Sequence, residues 1–320
     1  MSTLRLLDAS QYISAGAHTK SNQYFLCGDL KMIDGRFEEN TMPTSGVVYL
    51  LEAISEMLNE EDCDVVVCFD DKPTIKRGIF EEKLLPIGYG RYKGNRPPKP
   101  IDIEPQRELA YEIVKHIGLN AVKVKGVEAD DCIASIVKYY KDSYSKVVIH
   151  TKDSDLYYLV DNTVEVQPLN RYGKSGKYVN RANWENTVNN DYVVNYNMLT
   201  LLKMEQGEHG DNIPRVNKTV MQNIYNCIPK DMYPKLGDNE LLRKFVELGS
   251  GNCPTTMAIF DLITPIIVDQ SDVELFDQDL DKQLFNYYLS RVKCGASISS
   301  ISFEKAEATL ERFLDDYNGR

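Results

Sequence analysis

The 320-residue chain has no apolar run approaching the roughly 18–20 residues that span a bilayer, which sets aside an integral membrane protein. Its first residues, Met1-Ser2-Thr3-Leu4-Arg5, lead into a strand-like run and carry no secretory segment, so a cytoplasmic protein is expected. Histidine is scarce: His18, His116, His150 and His209 are too dispersed for a His-built metal site and are expected at the surface or in loops. The seven cysteines (Cys27, Cys63, Cys68, Cys132, Cys227, Cys253 and Cys294) are odd in number and scattered, with no CxxC pair. That pattern excludes a disulfide framework and predicts reduced, mostly buried thiols. The one tryptophan, Trp184, has no companion and is read as packing. Positive charge is also short: 37 Lys and Arg face 48 Asp and Glu, a net charge of −11. Unqualified, that deficit argues against a nucleic-acid partner, because phosphate binding is driven by Lys and Arg.

What is present is globular in character. Hydrophobic residues make up 42% and charged residues 27%, enough to build a sizeable core in one large domain or two smaller ones. Strand-like runs at Leu4–Leu7, Asp64–Phe69, Ala121–Val124 and Lys146–Thr151 alternate with helical stretches at Val47–Leu58, Pro105–Ile117 and Glu128–Tyr140. This alternation predicts an α/β fold, a twisted and mainly parallel sheet flanked by helices. Thr163–Leu169 and Lys177–Val179 flank Tyr172-Gly173-Lys174-Ser175-Gly176 as an expected hairpin. From Asn195 onward the pattern is mainly helical, and Asp261–Asp281, with seven acids and no base, reads as a solvated loop and helix start. Residues 1–205 are read as the core and 206–320 as a helical C-terminal region. Phe285, Tyr287, Tyr288 and Leu289 are read as helix core rather than as a docking face.

In open α/β sheets, ligands gather outside the carboxyl ends of the strands. Four such ends carry acids: Asp8 after LRLL, Asp70 after DVVVCF, Glu128, Asp130 and Asp131 after AVKV, and Asp153 and Asp155 after KVVIHT. Singly, each is more often a turn former or a helix cap, and Asp155 could simply cap the helix that follows. Together they would repel one another in one crevice, which is tolerable only with cations present. Oxygen ligands without His or Cys suit Mg²⁺ or Mn²⁺ over Zn²⁺. Two such ions about 4 Å apart clamp the attacking and leaving oxygens in phosphoryl transfer, so phosphodiester hydrolysis is the chemistry implied.

The segment Lys72–Glu104 interrupts the α/β pattern. Between Lys72 and Lys99 it holds eight bases and two acids, and Tyr92-Lys93-Gly94-Asn95-Arg96 interleaves an aromatic ring with bases, as where a nucleotide stacks and its phosphate is gripped. The expected hairpin adds Arg171, Lys174, Lys177 and Arg181 without an acid. A solvated basic face is the competing reading for both.

These residues carry a resemblance to the flap endonuclease family of 5′ nucleases. The matching pieces run in family order: Asp8; Pro43-Thr44-Ser45-Gly46; Phe69-Asp70; Arg77 with Tyr92 to Arg96; Gly126-Val127-Glu128-Ala129-Asp130-Asp131; Thr151-Lys152-Asp153-Ser154-Asp155; and Gly207-Glu208-His209-Gly210-Asp211-Asn212-Ile213-Pro214. They cover about two thirds of the chain. Around Phe285-Asn286-Tyr287-Tyr288-Leu289 the chain looks most like the ribonuclease H type of T-even bacteriophages. The resemblance implies a nuclease core with a basic helical arch at 72–104, acting on 5′ ends, flaps or RNA primers of DNA and RNA–DNA duplexes. It implies two Mg²⁺ ions, with Mn²⁺ able to substitute. Asp8, Asp70, Glu128 and Asp130 would serve the first ion with Asp131 near it; Asp153, Asp155, Glu208 and Asp211 would serve the second. Lys93 and Arg96 would hold the scissile and neighbouring phosphates, Tyr92 would stack on the terminal base, and Arg77 would assist from the arch base. A monomer is expected, without membrane association and with replication proteins as partners.

Two departures stand out. Glu208 replaces the family's usual Asp, so a displaced second site is expected. After Pro214, Arg215-Val216-Asn217 lead directly to Lys218-Thr219 without the glycine-rich hairpin of relatives, which leaves a reduced helix-hairpin-helix element in which Lys218 would still meet duplex. The competing readings are a single-strand ribonuclease of a related small fold, a catalytically silent branched-DNA-binding protein of the same fold, and a freestanding binding module. The charge deficit can now be placed: outside the excursion and the hairpin the chain carries 25 bases and 46 acids. The expected substrate therefore meets a narrow basic track leading to an acidic pocket on an otherwise repelling body.

Overall fold

The computed structural model describes residues 2–19, 24–33, 36–60, 63–97, 103–169, 176–180, 182, 198–293 and 304–319. The bases Arg171, Lys174 and Arg181 of the expected hairpin, together with Trp184 and Cys294, lie outside the described residues.

Five strands form the central sheet: β1 (Thr3–Asp8), β4 (Cys63–Cys68), β5 (Asn120–Val122), β6 (Lys146–Thr151) and β7 (Val164–Pro168). Their order is β5-β4-β1-β6-β7, and every pairing is parallel. Leu6 lies opposite Val66 on one side and Ile149 on the other, while Asp8 pairs with Cys68. The carboxyl ends of β1, β4 and β6 therefore finish level, and the acids that follow them start from one edge of the sheet.

Side chains alternate across the strands with period two. Leu4, Leu6, Val66 and Ile149 face α5 (Ala129–Tyr140), whereas Leu7, Val65, Val67 and Phe69 face α1 (Ala9–Thr19), α2 (Ser45–Glu60) and α4 (Ile103–His116). Arg5 and His150, on neighbouring strands, are both buried, and an Arg5 guanidinium nitrogen lies 3.1 Å from His150 Nε2. Burial and the Arg5 charge press the His150 pKa down to about 3, so the ring is neutral and accepts the bond. The expectation of a surface or loop position therefore fails for His150: its ring serves a buried arginine.

Residues 25–43, unassigned from sequence, form a separate antiparallel pair, β2 (Phe25–Ile33) and β3 (Arg36–Pro43), with an irregularity between Cys27 and Leu30. Residues 34 and 35 between them are Asp-Gly, a pair favoured in two-residue hairpin connections. The basic excursion opens as a helix, α3 (Thr74–Lys83), followed by a short 3-10 turn at Leu85–Ile87 and irregular chain through residue 97.

The C-terminal helices are α6 (Leu199–Gln206), α7 (Lys218–Cys227), α8 (Asn239–Ser250), α9 (Pro254–Ile263), α10 (Lys282–Val292) and α11 (Glu304–Asn318). The first four share a hydrophobic cluster with Phe80 and Tyr92 of the excursion. The last two return to the sheet side: Phe285, Tyr288, Leu310 and Leu314 pack in the cluster of α2 and α4. The acidic stretch between α9 and α10 follows the core more closely than its charge suggested. Ile266 N–H donates to Asp131 at 2.8 Å and Val268 N–H to Ser135 at 3.1 Å. The Gln278 amide satisfies both the N–H and the C=O of Val65 (3.2 and 2.7 Å). Among the described residues no helix is long and apolar enough to cross a membrane.

Candidate active site

All nine predicted metal carboxylates (Asp8, Asp70, Glu128, Asp130, Asp131, Asp153, Asp155, Glu208 and Asp211) line one cavity of about 150 Å³ outside the carboxyl edge of the sheet. Asp8 ends β1, and Asp70 lies two residues beyond β4. Glu128 to Asp131 sit at the start of α5, and Asp153 opens the 3-10 turn Ser154–Leu159 after β6. Glu208 and Asp211 come from the turn after α6, closed by a bridge between Glu208 and Ile213. Gly207 holds that turn at φ 75°, and a Cβ there would stand 2.8 Å from Arg215 N.

Concentrated negative charge shapes the cavity. Burial, reinforced by Asp70 and Asp153, raises the Asp8 pKa to about 7. Burial and Asp155 raise Asp153 to about 7. Asp130 is lifted well above the usual range by burial and then by repulsion from Asp8, Asp153 and Asp70, and its buried Oδ1 has no hydrogen-bond partner. Asp155 moves the other way: burial disfavours its charge, but Lys203 outweighs that and holds its pKa below the ordinary value. Glu208 is raised, by burial and by Asp155.

Cations offset this charge, among them buried Arg107, which lies 3.7 Å from Asp70. Lys76, buried on α3, lies 3.0 Å from Asp131. Lys203 on α6 pairs with Asp155 and, at 3.1 Å, with Glu208. Lys93 pairs with Glu128 and lies 3.5 Å from Asp211, which also pairs with Arg96. Among the described residues no group of three or more acids, histidines or cysteines stands ready to hold one ion. The bases interleave with the acids in the side-chain arrangement seen here.

The predicted site residues are not all alike. Asp131 is fully buried and committed: one oxygen meets Lys76 and the Ile266 amide, the other accepts from Glu128 N–H at 3.1 Å. Asp70 accepts from Ser10 Oγ at 2.6 Å and from Ala129 N–H at 3.0 Å. Tyr92, 5% exposed, packs on Phe80, and its single hydroxyl proton is shared between Glu128 and Asp211 oxygens at 3.2 and 3.3 Å, so in this arrangement it presents no open face to a base. Arg77 is exposed on α3 and does not line the cavity; its neighbour Lys76 does. Lys218, at the exposed start of α7, lines a second cavity of about 920 Å³ with Tyr89, His209 and Arg215. Ser10, Lys76 and Lys203 were not singled out from sequence. Only Lys76 carried a signal, as one base among eight in the excursion.

The fold and the site define a class of α/β protein: a parallel sheet with a carboxylate-rich, base-compensated cavity at its carboxyl edge. The profile of the family described as "5'-3' exonuclease, N-terminal resolvase-like domain" matches residues 5–192. The chain belongs to this 5′-3′ exonuclease family, as its motifs implied.

Similar proteins include a 5′-3′ exonuclease of Buchnera aphidicola subsp. Baizongia pistaciae, 30% identical over 61% of this chain and 64% of that one. A 5′-3′ exonuclease of Bacillus subtilis is 25% identical over 73% of this chain and 81% of its own. DNA polymerase I of Caldicellulosiruptor bescii is 32% identical over 55% of this chain, but the match spans only 20% of the polymerase. The chain thus spans about a fifth of that polymerase and just under two thirds of the Buchnera enzyme. In fold it is similar to the T5 D15 protein co-crystallised with metal ions, with a TM-score of 0.52 and 16% identity, covering 99% of this chain and 98% of that one.

Proposed function

We propose that the chain is a structure-specific 5′-3′ nuclease that hydrolyses phosphodiester bonds at 5′ ends or flaps of DNA and RNA–DNA duplexes, using two divalent metal ions. The observation that carries this reading is the convergence of nine carboxylates on one cavity, with an unpartnered buried oxygen on Asp130. The donor set fits a hard divalent cation: it is oxygen throughout, and its mutual repulsion would be relieved by one. Mg²⁺ suits it, with Mn²⁺ able to replace it. Likeness to the T5 D15 protein, which was co-crystallised with metal ions, supports the same reading.

Asp8, Asp70, Glu128 and Asp130 would hold the first ion; Asp153, Asp155, Glu208 and Asp211 would hold the second. Asp131 serves beneath them, tying Lys76 to the start of α5. Bound divalent ions would activate water and stabilise charge on the reacting phosphate. The chain's own part is to bind and orient that phosphate. Lys93 and Arg96, paired with Glu128 and Asp211 here, would re-pair with phosphate oxygens once ions neutralise those acids, and would offset charge that develops in the transition state. Tyr92 would keep Glu128 and Asp211 oriented, and would stack on a terminal base only if the loop bearing it moves. Lys218 and Arg215 would meet duplex backbone beside the site, and Arg77 would meet it from the exposed side of α3. The nuclease core would comprise residues 1–205 and the C-terminal region 206–320, a division that falls at the end of α6, which packs with the C-terminal helices. Primer and flap removal beside replication proteins is the setting this chemistry suits.

A catalytically silent DNA-binding protein of the same fold is the second reading, disfavoured because every one of the nine positions keeps its carboxylate. The test is Asp130→Ala and Asp153→Ala. Each should lower cleavage of a 5′-flapped duplex by roughly 100-fold or more and weaken Mn²⁺ binding by calorimetry, while binding to branched DNA persists. Full activity in either variant contradicts the assignment.

A further inference from the structure

The basic loop is fastened to the acidic turn by hydrogen bonds in addition to its ion pairs, most of them from main chain and amide groups. Asn212, at φ 62°, donates from Nδ2 to Arg91 O at 3.0 Å and accepts at Oδ1 from Asn95 Nδ2 at 3.1 Å. Beside it, Lys93 N–H donates to Asp211 O at 2.9 Å, and Arg96 Nε donates to Gly210 O at 3.1 Å. Gly90 makes the approach possible, because a Cβ there would stand 2.6 Å from Asn212 Nδ2. Lys93 itself is in the left-handed region, φ 56°, at the turn that directs its side chain inward over Glu128.

We propose that Asn212 and Gly90 form a clasp that sets the position of Lys93 and Arg96 over the carboxylate cavity, which makes Asn212 a positioning residue for the reaction. This inference rests on the nuclease reading for its consequence and on geometry for its existence. The Asn212 contacts and the bond from Lys93 N–H use backbone and amide groups. Lys93 Nζ can therefore leave Glu128 for a substrate phosphate while its Cα stays placed. The clasp joins two segments more than a hundred residues apart in sequence, one bringing bases and the other acids. Closure of the basic loop and the order of the Glu208–Asp211 turn are therefore linked, and loosening one loosens the other.

Asn212→Gly is the clean deletion, since glycine tolerates positive φ and removes both amide contacts. Gly90→Ala attacks the clasp from the other side. Hydrogen exchange of the Lys93 and Arg96 amides should quicken roughly 10-fold in both variants, as expected for losing two neutral hydrogen bonds, with exchange in β1 and β6 unchanged. Single-turnover cleavage of a 5′-flapped duplex with Mg²⁺ should fall roughly 10-fold, with duplex affinity in EDTA altered less than about threefold. Asn212→Asp keeps the acceptor and loses the donor, and should fall between wild type and Asn212→Gly. Unchanged exchange in both Asn212→Gly and Gly90→Ala overturns the clasp. Faster exchange with an unchanged cleavage rate overturns its positioning role. A wild-type protein that cuts nothing with Mg²⁺ overturns the nuclease reading instead, and the exchange result still judges the clasp.

Discussion

Asp130 brings a buried carboxylate oxygen with no donor into a cavity already holding Asp8, Asp70 and Asp153. Acids whose pKa values rise on folding favour the folded state at low pH and lose that contribution as pH climbs through the folded value. For Asp8 and Asp153 the loss runs from the ordinary value of 3.8 to about 7. Without divalent ions the protein should therefore melt at a lower temperature at pH 8 than at pH 5, and Mg²⁺ should reverse much of the difference. Asp153→Asn removes a charge at pH 8, above the Asp153 pKa of about 7, and can keep the acceptor for Asp155 N–H, so it should stabilise the metal-free protein at pH 8. The gain should be on the order of 1–2 kcal/mol, seen as a rise of roughly 1.5–3 °C in melting temperature. A lower melting temperature in this variant contradicts the repulsion argument. Lys93→Ala should slow the single-turnover rate strongly, by roughly 100-fold or more. A change confined to substrate affinity contradicts its proposed place beside the reacting phosphate.

At the scale of elements, α3 and α5 meet through one buried ion pair, Lys76 with Asp131. Burial disfavours the Lys76 charge, but Asp131 and Glu128 outweigh that and raise its pKa. Lys76→Met leaves Asp131 buried and short of a partner, which should cost about 3–5 kcal/mol in urea unfolding. Adding Asp131→Asn should recover part of that loss, and an additive double variant would contradict direct coupling. This pair also marks how far sequence reading reaches. Acids after hydrophobic strands announce themselves, because strand ends and turn positions are short-range features. Seven of the nine carboxylates were legible for that reason, as was the parallel sheet that aligns them, whereas Glu208 and Asp211, in the turn after α6, came only with the family resemblance. Lys76 and Lys203 were not, because a helix lysine is ordinarily solvated and only tertiary packing turns these two inward. Nor was the fate of Tyr92, whose aromatic-basic setting suggested an open stacking platform while Phe80 and two carboxylates bury it. The β2–β3 pair was within reach through Asp34-Gly35, but its strands lack the strict alternation that reveals a half-buried hairpin.

For the whole molecule, a net charge of −11 at first counted against nucleic acid. The structure supports a narrower view: the acids of the site are gathered in one small cavity, and bases of the 72–97 segment reach over it. Such a surface should grip nucleic acid weakly without divalent ions and lose it steeply with added salt. The central claim is that this cavity hydrolyses phosphodiester bonds from 5′ ends with divalent metal. Its most direct test is to incubate the protein with 5′-labelled nicked, flapped and RNA-primed duplexes, with Mg²⁺ or with EDTA, and size the labelled products. Short 5′ fragments in Mg²⁺ and intact strands in EDTA are the predicted result. Intact strands in both Mg²⁺ and Mn²⁺, or equal cutting in EDTA, would contradict it.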